Sequence, residues 1–152
     1  MGHRGRLFSL ALGMSIAVLP LFPADRGTSA QAVTASGQVS VREGVYTEEQ
    51  ARRGATVYAN SCAECHGEDL SGAGFAPPLV DEPFIQRWQD GTLADLFTVL
   101  KATMPQEKPG SLSDDDYAAI VSFLLQKNHF PAGAAAVTPK IEQLKLVTFQ
   151  KP

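Results

Sequence analysis

Two cysteines and a histidine stand together near the middle of the chain, in the run Cys62-Ala63-Glu64-Cys65-His66. Thiols at this spacing serve four kinds of site: a disulfide, a zinc ion, a redox-active dithiol and a covalently attached haem. Each kind of site makes a different demand on the other residues of the protein. The rest of the sequence can therefore select between them.

Three of these four sites fit the rest of the chain poorly. A zinc site needs four ligands, and beyond Cys62, Cys65 and His66 the chain after residue 32 offers only the distant His129. A redox dithiol is expected at a strand-to-helix junction in a βαβ setting, for which the sequence shows no signal. A disulfide between Cys62 and Cys65 would close a very small loop and would leave His66 without a role.

The fourth site, a covalent haem, accounts for all three residues. C-x-x-C-H is the attachment pattern for c-type haem. Because residues i and i+3 lie on the same side of a helical turn, both sulfurs can form thioethers with the two vinyl groups of one porphyrin. His66 follows directly and is the expected proximal iron ligand. The sequence contains one such run, and we expect one haem c per chain.

The sixth position of the iron has two candidate ligands after residue 32. Met104 lies in a polar loop that contains prolines, outside the apolar stripe of the helix predicted before it. Methionine is often only a core filler, and a lone histidine such as His129 more often has a surface or capping role. Because Met/His ligation is typical of electron-carrying cytochromes, we expect Met104 to be the distal ligand, with His129 as its competitor.

Helix-start signals frame these residues. Thr47 and Gln50 form the pattern of a capping box, and the helix that follows leads directly into Cys62. A second helix is predicted to begin at Thr92. It ends before Met104, because the residue that precedes a proline is disfavoured in the α region. The two expected iron ligands, His66 and Met104, therefore each follow the end of a different helix.

A third long helix is predicted to begin at Ser113, where three aspartates meet the positive end of the helix dipole. It ends at Lys127-Asn128, with Asn128 as a left-handed cap, and a shorter helix is predicted near Pro83 to Trp88. No part of the core region alternates as a strand does. The predicted fold class is all-α, with three to four helices around one haem. So small a domain usually needs an additional stabilising element, and the haem supplies it.

The chain begins with the features of a secretory signal peptide. Positive charge precedes the nearly uncharged run 7–22, and Ala30-Gln31-Ala32 fits the cleavage site. The run has 16 residues, which is short for a bilayer span of ~20 residues; an N-terminal membrane anchor is the alternative. Cleavage after Ala32 predicts a periplasmic or otherwise exported protein without stable membrane insertion.

The remaining chain is acidic. Removal of residues 1–32 takes away three arginines and one aspartate and leaves 10 basic and 15 acidic residues, a net charge of −5. This balance argues against a nucleic-acid partner, which requires a clustered basic face. About 120 residues remain, which is enough for one small domain.

Over about residues 46–130 the chain resembles a class I cytochrome c. The matching residues are Gly54, Tyr58, the C-A-E-C-H run, A-P-P-L at 76–79, Met104-Pro105, Tyr117, Ile120 and Phe123. The resemblance implies that the first and last helices cross at Gly54, and that a backbone carbonyl of Pro77 or Pro78 accepts a hydrogen bond from His66 Nδ1. It also implies that the Trp88 indole reaches a haem propionate, with a core aromatic as the alternative.

Within that family, residues 104–133 look most like small cytochromes and cytochrome domains associated with quinoprotein alcohol dehydrogenases. The resemblance implies an electron-transfer protein rather than an enzyme, which carries single electrons between a dehydrogenase and a terminal oxidase of the respiratory chain. One alternative is a haem subunit of a quinoprotein dehydrogenase complex. A haem enzyme or ligand-binding sensor is the other, and would need an open sixth position.

The expected organisation has four parts. Residues 1–32 form the signal peptide, 33–45 a flexible N-terminal linker, 46–130 the cytochrome c domain and 131–152 a C-terminal extension. The extension reaches beyond the usual last helix of the family. It is expected either to pack along the domain or to meet a partner.

Overall fold

The computed structural model describes residues 1–2 and 37–149, and the predicted all-α class is confirmed for this part of the chain. A single turn of 3₁₀ helix, Val41–Glu43, precedes the first α-helix. The α-helices are α1 (Glu48–Ser61), α2 (Ala63–His66), α3 (Asp81–Trp88), α4 (Leu93–Thr103), α5 (Asp114–Lys127) and α6 (Ile141–Leu144). Two very short strands, β1 (Val39–Ser40) and β2 (Val147–Thr148), pair in parallel.

Helix α1 begins with only half of the predicted capping box. The Thr47 hydroxyl accepts a hydrogen bond from the Gln50 N–H at 3.1 Å. The Gln50 amide does not reach back. It donates to the carbonyl of Val137 at 2.7 Å and accepts from the Val137 N–H at 2.8 Å and from the Ser122 hydroxyl at 2.9 Å. The side chain is used here because the C-terminal segment brings backbone groups that need partners.

Helices α1 and α5 cross closely at Gly54. A Cβ atom at this position would lie 1.9 Å from the carbonyl oxygen of Ala119 and 2.9 Å from Cβ of Phe123. Beside the crossing, the rings of Tyr58 and Phe123 pack with their centroids 5.2 Å apart. The absence of a side chain therefore allows the two helices to approach to this distance.

Helices α4 and α5 begin at the predicted caps. Thr92 and Asp95 form a complete capping box at the start of α4, and the Ser113 hydroxyl accepts from the Asp116 N–H at 3.1 Å. The end of α5 differs from the prediction: Asn128 has φ −93°, and the left-handed residue is His129, with φ 61°. Asn128 instead uses its side-chain amide to donate to two backbone carbonyls.

The segments on either side of the helical core pack together. The sequence predicts a flexible linker at 33–45. In its described part, residues 37–45, Val41 is fully buried, and Val39 and Ser40 pair with Val147 and Thr148. Apolar side chains on both segments account for this packing, because the pairing removes them from water.

The predicted signal peptide lies outside the described residues, except for its first two positions, and stays a prediction. Within 1–2 and 37–149, none of the helices has the length and apolar character needed to cross a bilayer.

Candidate cofactor site

A cavity of about 1490 Å³ opens between the helices. It is larger than the ~300–1,000 Å³ of a typical small-molecule site. Its apolar walls include Phe84, Leu96 and Leu124. All seven site residues that the sequence singles out line this one cavity: Cys62, Cys65, His66, Pro77, Pro78, Trp88 and Met104. The size, the apolar walls and this set of donors fit a haem.

Helix α2 is a single turn that presents the two thiols. Cys62 ends α1, with its N–H donating to the carbonyl of Tyr58 at 2.8 Å, and its own carbonyl accepts from the N–H of His66 at 3.0 Å. Both cysteines are free; Cys62 is half-buried and Cys65 is exposed. Burial, and then the neighbouring Cys65, raise the pKa of Cys62 to about 11. The Cys62 thiol is therefore protonated at neutral pH. Because neither cysteine is in a disulfide, both thiols can form thioether bonds.

His66 is buried, and a backbone carbonyl orients its ring. Its Nδ1 atom lies 3.0 Å from the carbonyl oxygen of Pro77, whereas no such contact involves Pro78. With the proton on Nδ1, the ring donates this hydrogen bond and keeps Nε2 for a metal ion. A partner of this kind fixes the orientation of a histidine ligand and raises its basicity.

The loop between His66 and Leu79 is fixed at several points. The Tyr58 hydroxyl donates to the carbonyl of Gly67 at 2.7 Å; burial, followed by the nearby Cys62 and Asp69, raises the pKa of Tyr58 to about 12. This hydroxyl therefore remains a donor throughout the ordinary pH range. The loop that carries Pro77 is thus tied to α1.

The far end of that loop is tied to α5. The N–H of Leu79 donates to the carbonyl of Leu70 at 2.8 Å. The Asn128 side chain donates to the carbonyl of Leu79 at 3.0 Å and to that of Leu124 at 2.8 Å. From the sequence, Asn128 is predicted only as a helix cap, because its partner Leu79 lies 49 residues away.

Met104 ends α4 and is held by its backbone. Its N–H donates to the carbonyl of Leu100 at 2.9 Å, and its own carbonyl accepts from the Tyr117 hydroxyl at 2.7 Å. Tyr117 is fully buried and packs edge-on against Phe97, with centroids 6.2 Å apart. Met104 is thus placed at the cavity by a buried residue of the core, while its role as iron ligand stays a prediction.

The competitor, His129, does not line the cavity. It is exposed and follows the end of α5 in the left-handed conformation. The described structure therefore brings Met104, and not His129, to the same cavity as His66.

Trp88 lies at another wall of the cavity and is 8% exposed. The guanidinium of Arg87 lies 5.1 Å from the centroid of its ring and also lines the cavity. A cation and an indole N–H together suit a carboxylate such as a haem propionate. Sequence reasoning missed Arg87, because nothing in the sequence separates it from other charged residues on an amphipathic helix.

Comparison with known proteins identifies the family of this chain. The family model described as "Cytochrome C oxidase, cbb3-type, subunit III" matches residues 49–124, half of the chain. A search of curated proteins finds no match. One solved structure, the "Crystal Structure of the Sulfane Dehydrogenase SoxCD from Paracoccus pantotrophus", is similar, with a TM-score of 0.46 and 23% identity over 91% of this chain and 68% of that chain. Because the match covers half of the chain, the chain belongs to this family: it is a class I c-type cytochrome, an electron carrier whose family cofactor is covalently bound haem c.

Proposed function

We propose that the protein is an exported carrier of single electrons with one haem per chain. The observation that supports this most strongly is that Cys62, Cys65, His66 and Met104 line one cavity. A bound haem supplies an iron that gains and loses one electron. If His66 and Met104 both ligate it, no coordination position remains for a substrate, and the protein is not an enzyme.

Each side chain has a distinct part in this proposal. The thiols of Cys62 and Cys65 would hold the haem through thioethers. His66, whose ring is oriented by the Pro77 carbonyl 3.0 Å away, and Met104, whose carbonyl accepts from the Tyr117 hydroxyl, would ligate the iron. The apolar walls would limit the access of water to it, which is one of the means by which a protein sets the reduction potential.

The proposed partners are a dehydrogenase as donor and a terminal oxidase as acceptor. The resemblance of residues 104–133 to cytochromes of quinoprotein alcohol dehydrogenases supports the donor. The description of the matched family, which names an oxidase subunit, supports the acceptor. The features of residues 1–32 support export to the periplasm, where both partners would be met.

The optical spectrum with and without carbon monoxide tests the carrier assignment. A carrier with both axial positions filled by protein shows a spectrum that carbon monoxide does not change. A spectral shift on addition of the gas to the unaltered reduced protein would instead indicate a ligand-binding sensor or haem enzyme.

Stopped-flow reduction at low and high salt tests the partner. Because the exported chain carries a net charge of −5, it favours a positively charged partner face, and the rate of reduction should fall as salt screens the attraction. A quinoprotein dehydrogenase that fails to reduce the protein at any salt concentration would exclude the proposed donor.

A second candidate is a permanent haem subunit of a dehydrogenase complex. Phe75 at the cavity is fully exposed and Val99, which also lines it, is 37% exposed. A permanent partner could cover these two side chains, since contiguous exposed apolar surface marks protein interfaces. Co-purification of a stoichiometric dehydrogenase from the native host would favour this candidate, whereas a monomer in size-exclusion chromatography would favour the free carrier.

A further inference from the structure

Residues 131–149, which we call the strap, lie outside the segment that the family model matches, 49–124. They nevertheless take part in the core. Val137, Leu144 and Phe149 are 6%, 2% and 4% exposed, respectively. The strap is therefore an integral part of the hydrophobic core, although it lies outside the family match.

Distant parts of the chain anchor the strap along its length. The N–H of Gly133 donates to the carbonyl of Tyr46 at 2.7 Å. Further along, the Gln50 amide binds the Val137 N–H and carbonyl. Near its end, β2 pairs with β1, with Val147 opposite Val39. These anchors fix the direction in which the strap crosses the domain.

The strap ends behind one wall of the cofactor cavity. The N–H of Phe149 donates to the carbonyl of Gly91 at 3.0 Å, in the turn between α3 and α4. Its ring packs edge-on against Phe84, with centroids 6.1 Å apart, and against Phe130 at 5.9 Å. Phe84 is 1% exposed and lines the cavity. Phe149 thus lies one layer behind the wall without itself lining the cavity.

Two polar side chains of α3, Arg87 and Trp88, lie on the same cavity wall as Phe84. Phe84 and Trp88 are one turn apart on this helix, with ring centroids 6.5 Å apart. Trp88 and Arg87 both line the cavity. Phe84 therefore packs beside the Trp88 ring, which in turn lies next to the Arg87 guanidinium on the cavity wall.

We propose that Phe149 is a positioning residue for the cofactor: it presses Phe84, and through it the Trp88 wall, onto the cavity and so tunes the reduction potential of the haem. The proposal rests on the haem assignment above. The apolar shell around a redox site controls solvent access and hence potential. Loosening the wall admits water, which stabilises the more highly charged oxidised form, so the potential falls.

The test compares three variants as holoproteins. Phe149→Ala removes the ring, and Phe149→Leu keeps an apolar side chain of substantial size in case the alanine variant does not fold. Leu146→Ala is the matched control, because Leu146 belongs to the same segment and its side chain is 47% exposed. For each protein, intact mass establishes the haem content first. Redox titration and Soret circular dichroism follow, at a temperature well below unfolding.

The expected result is a lower potential and an altered Soret dichroism for Phe149→Ala, a smaller shift of the same sign for Phe149→Leu, and no shift for Leu146→Ala. If the Phe149 variants melt earlier but keep the potential and dichroism of the unaltered protein, the strap only stabilises the fold and the proposal is overturned. Absence of haem from the mass of the unaltered protein would instead refute the haem assignment, and the proposal with it.

Discussion

At position 104 hydrogen bonds fix the backbone of a methionine that lines the cavity. The hydrogen bonds to the Leu100 carbonyl and from the Tyr117 hydroxyl both involve main-chain atoms of Met104. Substitution of the side chain therefore leaves this anchoring in place. The position is well suited to a test of ligation that does not disturb the fold.

We expect Met104→Ala to keep the covalent haem while opening the sixth position of the iron. The reduced variant should bind carbon monoxide, and its potential should fall, because Met/His ligation raises the potential. Absorption spectra and redox titration measure both effects. His129→Ala is the control, since His129 is exposed and outside the cavity. An unchanged spectrum in Met104→Ala would place the sixth ligand elsewhere.

A second residue-scale prediction concerns acid stability. The Ser113 hydroxyl, and then Arg53, donate to the Asp116 carboxylate at 2.7 Å each, and these interactions lower the pKa of Asp116. Because its folded pKa lies below its unfolded value of ~3.9, Asp116 contributes stability above that pH, which is lost as pH falls through the folded pKa.

Denaturation of holoprotein between pH 7 and pH 2.5 measures this contribution. Asp116→Asn should lose on the order of 0.2–1 kcal/mol at pH 7, as for a partly exposed pair, and the difference from the unaltered protein should shrink at low pH. Asp115→Asn removes a charge from the same turn without removing these hydrogen bonds and is the control. A difference that is independent of pH would contradict the assignment.

At the scale of elements, the crossing of α1 and α5 depends on Gly54. Gly54→Ala gains ~1 kcal/mol of helix propensity. The added Cβ would however lie 1.9 Å from the Ala119 carbonyl oxygen, and overpacking of a core costs ~1–3 kcal/mol or more. The cost of the clash exceeds the gain in helix propensity, because the contacted atom belongs to the backbone and cannot rotate away.

Thermal unfolding of the holoprotein should therefore show a midpoint lower by roughly 5–15 °C for Gly54→Ala, since ~1 kcal/mol shifts Tm by several degrees in a small domain. Thr56→Ala, at an exposed position of the same helix, should leave the midpoint unchanged or raise it slightly. A Gly54→Ala protein as stable as the unaltered one would show that the helices can separate without cost.

At the scale of the whole molecule, the cofactor is expected to complete the core. The cavity of about 1490 Å³ has apolar walls that include Phe84, Leu96 and Leu124. A haem that fills it would remove these walls from water, and burial of apolar surface is the main favourable contribution to folding. Loss of the haem should therefore cost a large part of the stability.

We expect the double variant Cys62→Ser, Cys65→Ser to lose the covalent haem and with it cooperative unfolding and much of its helical circular dichroism. Cys65→Ser alone, which keeps one thioether, is the matched comparison and should retain both. A double variant that contains no haem and still unfolds cooperatively at the midpoint of the unaltered protein would contradict this prediction.

The features that the sequence alone determined are those set by neighbouring residues. The C-x-x-C-H run, the starts of α4 and α5 at Thr92 and Ser113, and the end of α4 before Met104-Pro105 all depend on spacings of a few residues. Local geometry decides such features, because caps and proline act within one turn. The all-α class and the family followed from them.

Only the tertiary structure decided the features that need contacts between distant residues. Gln50 binds Val137 across 87 positions, and Asn128 binds Leu79 across 49; both side chains had adequate local roles as caps. Residues 37–45 and the strap pack against each other, although each appears from its own sequence to be a flank. Each side chain binds the backbone group that the fold places beside it. This is favourable because that group would otherwise be buried without a hydrogen-bond partner.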